Sequence, residues 1–216
     1  MITLRDITLQ CPICGTWFAS KAAAGTGDAA GTRTDFHRRA NGPEPLAHQV
    51  HMCSGCGFAG VEDDFASDAE SGASAAARGV DRTAGPAGNG VAGSEKYEAA
   101  AGIAERRGEG PRTVADLLIK AAWCCIDEGD VEGERFFRRK AAQALESALA
   151  RYDDVKREER AVTTYLVGEL WRRVGDRTLA REWFDRVDDE VTDAAAQRWI
   201  VVLAAQQRDR PREWLG

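Results

Sequence analysis

Apolar residues recur every three or four positions through the second half of the chain, and cluster in short alternating runs through the first. After Pro111, the residues Val114, Leu117, Leu118, Ala121 and Cys125 mark one face of a helix that should end at Gly129. A second helix is predicted from about Val131 to Tyr152, with Phe136, Phe137, Ala141, Leu145 and Ala148 along its stripe. A third is predicted from about Val155 to Val174, stopping at Gly175. A fourth, Thr178 to Val187, carries Leu179, Trp183 and Phe184; a fifth, about Val191 to Arg208, carries Trp199, Ile200, Val202 and Leu203. Connections this short force neighbouring helices antiparallel.

The N-terminal pattern differs. Ile2–Leu4 and Ile7–Gln10 read as strand, as do Thr16–Ala19 and His48–Met52, with Phe58 opening another. Between Ala66 and Gly110 large apolar residues almost vanish, and Gly, Ala, Ser and Asp at this density bury too little surface to offset chain entropy. That stretch reads as a flexible linker with a short helical piece at Glu95–Ala101. The expected organisation is a module over residues 1–65, a linker over 66–110 and a helical domain over 111–212.

Four cysteines give the N-terminal module its chemistry. Cys11-Pro-Ile-Cys14-Gly15 and Cys53-Ser-Gly-Cys56-Gly57 are two short pairs, each able to put two thiolates on one metal. The glycine after each pair suits a knuckle whose closing residue needs positive φ. Two knuckles on hairpin ends make a zinc ribbon, so the expected cofactor is one structural Zn2+ held by Cys11, Cys14, Cys53 and Cys56. The fold class expected is mainly α with a small β zinc module. Disulfides would need an oxidising compartment, and Met1–Asp6 shows no secretory leader. A thioredoxin-like pair would sit in a βαβ unit, which neither pair does. Because the module has few large apolar residues, metal binding should supply most of its folding energy. A purely structural metal then predicts that Cys11→Ser unfolds the module and leaves the helices intact. Cys124 and Cys125 point about 100° apart on a helix and read as small buried hydrophobes.

With a formal net charge of −6 over 216 residues, the chain has no general attraction for nucleic acid or anionic lipid. No apolar run approaches the roughly 18–20 residues that span a bilayer. A cytoplasmic protein without a membrane partner is expected.

The helices also suggest a repeat. Gly168-x-x-Trp171, Gly175-Asp176 and Ala180-x-x-x-Phe184 have the spacing of a tetratricopeptide hairpin, in which small residues allow close approach and aromatics fill the space beside them. Ala122-x-x-Cys125, Gly129-Asp130 and Ala141-x-x-x-Leu145 echo it loosely; a generic antiparallel bundle is the simpler alternative.

The residues bear on three classes of function. Catalysis at zinc needs an open coordination position and a base, with His37, His48, His51, Asp35 and Glu62–Asp64 as candidates. Four thiolates close the shell without them, and no phosphate loop, nucleophile elbow or His-Glu-x-x-His helix is present. His51, two residues before Cys53, is a candidate to pack behind the metal ligands. Nucleic acid could meet Arg33, Arg38 and Arg39 with Phe36 and His37 stacking on bases, or the helical cluster Arg135, Arg138, Arg139 and Lys140. A redox-sensing zinc–thiolate centre or a zinc-dependent hydrolase are further alternatives. The preferred reading is a protein-interaction scaffold without enzymatic activity, its helical hairpins holding a partner protein or peptide through Glu169, Arg172, Arg173 and Arg181.

In the order of its motifs the chain resembles a prokaryotic family termed domain of unknown function 2225. The resemblance rests on Cys11-Pro-x-Cys-Gly15, Asp35-Phe36, the turn at Pro45, Cys53-x-x-Cys-Gly-Phe-Ala59 and Asp64-Phe65. It continues in Ala121-Ala-Trp123, Glu128-Gly-Asp130, Tyr165–Asp176 and Ala180-x-x-Trp183-Phe184. Ser54-Gly55 stands where the family usually has a proline, and His48 near a place usually held by an aromatic. The resemblance implies a zinc-binding N-terminal module followed by tetratricopeptide-like helices, and implies no activity.

Overall fold

Asp6 sits in the middle of the N-terminal strand pattern, yet the strand runs through it. In the computed structural model, which describes residues 2–25, 29–42, 44–66, 90–151 and 154–215, β1 is continuous over Thr3–Gln10. It pairs antiparallel with β2, Trp17–Ala24, with Thr3 opposite Ala24 and Gln10 opposite Trp17. Asp6 lies opposite Lys21 and is bonded by its ammonium at 2.9 Å, so the strand keeps its charge on the solvent face. Phe18, Ser20 and Ala22 point inward and alternate with Trp17, Ala19 and Lys21 outside. Two shorter antiparallel pairs follow: β3, Ala29–Thr32, with β4, Arg38–Ala40; and β5, His51–Met52, with β6, Ala59–Gly60.

The described residues hold seven α-helices: α1 Glu62–Ala66, α2 Gly93–Arg106, α3 Pro111–Glu128, α4 Val131–Ala150, α5 Arg160–Val174, α6 Arg177–Asp185 and α7 Arg198–Asp209. Local chemistry sets most of these boundaries. Pro111 opens α3, where its missing N–H costs nothing. Asp130 and Asp176 cap α4 and α6 by accepting from the Gly133 and Leu179 N–H groups. The fold is therefore mainly helical, with small antiparallel strand pairs at the N-terminus.

Three expectations change. The stretch 66–110 is not a linker at its C-terminal end: α2 occupies residues 93–106 and buries Tyr97, Ala100, Ala101, Ile103 and Ala104. Alanine and one tyrosine suffice because α2 lies close against α3 and the turn at Leu46–His48, where Tyr97 donates its hydroxyl to the Leu46 carbonyl at 3.1 Å. The rest of the predicted linker, 67–89, lies outside the described residues. Second, α5 and α7 start several residues later than their apolar patterns. Before α7, Gln197 accepts from the Thr192 and Asp193 N–H groups, and Asp193 from those of Ala195 and Ala196. Such side-chain bonds compete with helix formation. Third, Phe136, Trp199 and Val202, expected on buried stripes, are exposed.

Where α5 meets α6 the expected close approach is found. A Cβ built on Gly168 would lie 2.8 Å from the Phe184 ring and 3.2 Å from the Ala180 carbonyl oxygen. Only glycine lets these helices touch at that distance.

The strands and helices do not bury separate cores. Phe18, Phe58 and Phe65, packed edge to face at 5.4 and 5.2 Å, belong to the same cluster as Tyr97, Leu118 and Leu145. The expectation that the helices would stand unaffected by loss of the N-terminal module has no support in this packing.

Candidate metal centre

The two cysteine turns are near copies. Cys11 N–H donates to Thr16 O (2.9 Å) and Gly15 N–H to Cys11 O (2.9 Å); Cys53 N–H donates to Phe58 O (2.8 Å) and Gly57 N–H to Cys53 O (3.0 Å). Gly15 and Gly57 close them at φ +72° and +73°, a conformation that side chains with a Cβ resist.

The turns face each other and bring all four sulfurs together, every pair within 4.8 Å. Cys11 Sγ lies 3.6 Å from Cys56 Sγ, and Cys14 Sγ 3.6 Å from Cys53 Sγ. A disulfide needs about 2.05 Å. A tetrahedron with metal–sulfur bonds of about 2.3 Å has edges of about 3.8 Å. The spacing fits four ligands around one metal ion, and all six cysteines are free thiols. Cys11, Cys53 and Cys56 are buried, and Cys14 is half-buried. Burial pushes the Cys11 thiol up to about 11 and raises that of Cys56. Against the same burial, bonds to Thr16, Cys53 and Cys56 draw Cys14 down to about 6. Four thiolates at this separation repel one another, and a bound cation removes the penalty. Among the described residues the group includes no histidine or carboxylate.

Among the groups that touch sulfur are Thr16, whose hydroxyl lies 3.2 Å from Cys14, and the Gly55 N–H, which donates to Cys53 at 3.3 Å. A Cβ at Gly55 would sit 2.6 Å from the Thr16 hydroxyl. His51, expected behind the ligands, instead bonds the Ser20 hydroxyl through Nδ1 at 2.9 Å and packs on Phe65. It ties β2 to β5 and is buried.

The charged residues expected to form a binding face behave differently from the cysteines. Glu169 is fully buried. Arg172 donates to both its oxygens at 2.8 Å, Arg173 at 2.6 Å, the Thr34 hydroxyl at 2.7 Å and Gln207 at 3.1 Å. Arg173 is nearly buried and only Arg181 is exposed. Asp35 lies beside this group on a turn where Phe36 takes φ +66°. Its carboxylate and Arg138 are both 0% exposed and pair at 2.8 Å; Trp123 donates to it at 3.0 Å, with Arg173 at 3.6 Å and Arg33 at 3.7 Å. Burial alone would raise its pKa, but Arg138, Arg173 and Arg33 hold the carboxyl well below the usual range.

This junction takes Phe36, His37 and Arg138 out of the two basic clusters, while Arg38, Arg135, Arg139 and Lys140 stay exposed. Phe36 packs on Tyr165 and Trp199, and His37 stacks on Trp123 with ring centroids 4.6 Å apart. Burial pushes the His37 imidazole down to about 4 and keeps it neutral. Arg138, taken with Arg135, Arg139 and Lys140 as a basic patch, is inside.

The sequence carried one overlooked signal for this cluster. Glu169 lies in Tyr165-Leu-Val-Gly-Glu-Leu-Trp171 and must be buried with its neighbours, while Arg172 and Arg173 follow at the i+3 and i+4 positions that reach it. Asp35, Thr34 and Gln207 left no comparable trace.

The profile of a family described as "Uncharacterized protein conserved in bacteria (DUF2225)" matches residues 4–210. The chain belongs to this family. The match spans the cysteine turns, the buried junction and every helix among the described residues, so the family's signature covers the module and the helices together. Comparison with curated proteins and with solved structures finds no match. No helix among the described residues is long and apolar enough to cross a membrane.

Proposed function

We propose that this protein is a non-enzymatic interaction scaffold, in which one structural zinc folds the N-terminal module and a tetratricopeptide-like stack of helices holds a partner protein. Zinc is the choice the donor set favours: soft thiolates in tetrahedral array take zinc or iron, and zinc needs no redox partner. Cys11, Cys14, Cys53 and Cys56 would hold it, Thr16 and Gly55 steadying Cys14 and Cys53. When bound, it supplies charge neutralisation and cross-linking. A shell filled by four thiolates has no place for a reacting water. A reducing compartment, the cytoplasm, keeps such thiols available.

The observation that carries the scaffold reading is the outer face of α7. Trp199 is 51% and Val202 57% exposed, on a helix whose other side is core. With Ala195, Ala196, Leu203 and Leu215 they line a shallow apolar cleft. Exposed apolar surface of this kind marks sites of association.

Protein purified anaerobically without a tag should contain one zinc per chain, with four thiols protected until chelator is added. Iron, or sub-stoichiometric metal, overturns the structural-zinc assignment. Affinity capture from native lysate should recover a reproducible protein that is lost with Trp199→Asp. Recovery of none, or capture indifferent to Trp199, overturns the scaffold reading at this face.

A further inference from the structure

Residues 211–215 follow α7 and pass antiparallel to residues 32–34, at and just beyond the end of β3. Thr34 N–H donates to Glu213 O at 3.1 Å and Leu215 N–H to Thr32 O at 2.9 Å, with Arg33 paired to Trp214 between them. One turn earlier a side chain does the work of a strand. Gln207, buried, accepts from the Arg212 N–H at 2.7 Å and donates to the Arg212 carbonyl at 2.9 Å. Arg173 adds a contact of 3.4 Å to the Glu213 carbonyl. The backbone of the segment is thus read at three successive places.

Two side chains are read as well. The Glu213 carboxylate meets Arg173 at 2.7 Å, Arg172 at 3.1 Å and Arg33 at 3.3 Å. The Trp214 ring lies flush on Gly31, 3.2 Å from where a Cβ would stand, with the Arg33 guanidinium 5.8 Å from its centre. The rest of the segment is open: residues 211–214 are exposed and Leu215 is half-buried.

The walls of this groove are held from behind as well as by the segment. Gln207, Arg173 and Thr34 all bond Glu169, and the Thr34 carbonyl accepts from Tyr165 at 2.9 Å. Removing the segment would take Leu215 off the core and leave an amide, an N–H, a carbonyl and three guanidiniums that an equivalent occupant could meet. Strand addition supplies affinity through the backbone and specificity through alternate side chains.

We propose that this groove is a peptide-recognition site, binding an extended segment of a partner protein that carries a carboxylate followed by a large aromatic and an aliphatic residue, in competition with the chain's own residues 211–215. This deepens the scaffold reading and rests on it, at a site that adjoins the α7 face and shares Leu215 with it.

The test uses the full chain and a fluorescein-labelled peptide Pro-Arg-Glu-Trp-Leu-Gly. Glu213→Gln removes the charge that Arg173, Arg172 and Arg33 meet in the chain's own segment, so the variant should bind the peptide at least about tenfold more tightly than the unaltered chain. A peptide with glutamine for glutamate should bind at least about tenfold more weakly, and added salt should weaken the intact peptide. Trp214→Ala, which alters a half-exposed ring, repeats the experiment should Glu213→Gln perturb folding. Absence of peptide binding to both variants overturns the proposal, as does indifference to the carboxylate. Dimerisation by exchange of residues 211–215 without uptake of free peptide also overturns it, assigning the groove to a second copy. Loss of peptide binding with lysate capture at Trp199 intact refutes this site and leaves the scaffold standing.

Discussion

Asp35→Asn isolates the contribution of the buried junction. The substitution preserves shape and leaves an oxygen for the Trp123 N–H, so what it removes is charge. At 2.8 Å, with an effective dielectric of about 20, the gross attraction between Asp35 and Arg138 is about 6 kcal/mol. Desolvation of both ions takes back much of this in the native protein. Once Asp35 is neutral, the cost for Arg138 stays and the attraction goes. Removing one member of a buried pair costs about 3–5 kcal/mol, and that is the expected loss here. Set against a total stability of about 5–15 kcal/mol, the variant should be marginal. Urea unfolding with metal present, followed by circular dichroism, measures the loss. The double variant Asp35→Asn/Arg138→Met should be more stable than Asp35→Asn alone, because the stranded cation has gone. The pH dependence has a definite sign. A carboxyl with a depressed native pKa contributes stability that is fully present above its unfolded value of about 3.9 and fades as pH falls through the native value. The unaltered chain should therefore lose stability below about pH 4 more steeply than Asp35→Asn. A loss under about 1 kcal/mol, or a double variant no more stable than the single, would refute the assignment of Asp35 as the counter-ion that joins the N-terminal module to α4 and α5.

Two smaller perturbations probe the helices. Gly168→Ala places a methyl group 2.8 Å from the Phe184 ring and should cost about 1–3 kcal/mol by thermal melting; a neutral result would show that α5 and α6 can move apart freely. Asp176→Ala removes the acceptor for the Leu179 N–H, 3.0 Å away, and should cost about 1 kcal/mol in urea unfolding, with no change in metal content.

What the chain announced by itself was local. A cysteine turn closed by glycine, a proline opening a helix and an aspartate capping one each act within about five residues, so their outcome is written where they stand. The four-sulfur cluster was legible because two closely similar local turns need only be brought together, and chelation explains why they would be. The helix hairpin around Gly168 was legible for a similar reason, since both partners lie within one short connection.

Burial was the property that needed the tertiary structure. Glu169, Arg172 and Arg173 have the composition of a solvated helix face, and they became interior because Thr34, Asp35 and Glu213 arrive from distant parts of the chain. Trp199 and Val202 went the other way, since no described element covers the outer side of α7. The helix at Gly93–Arg106 looked too poor in large side chains to order itself, and on its own surface it is. Its stability comes from neighbours close enough for alanine to be buried. Charge and hydrophobicity are properties of a residue, but desolvation is a property of what surrounds it, and only the assembled fold supplies that.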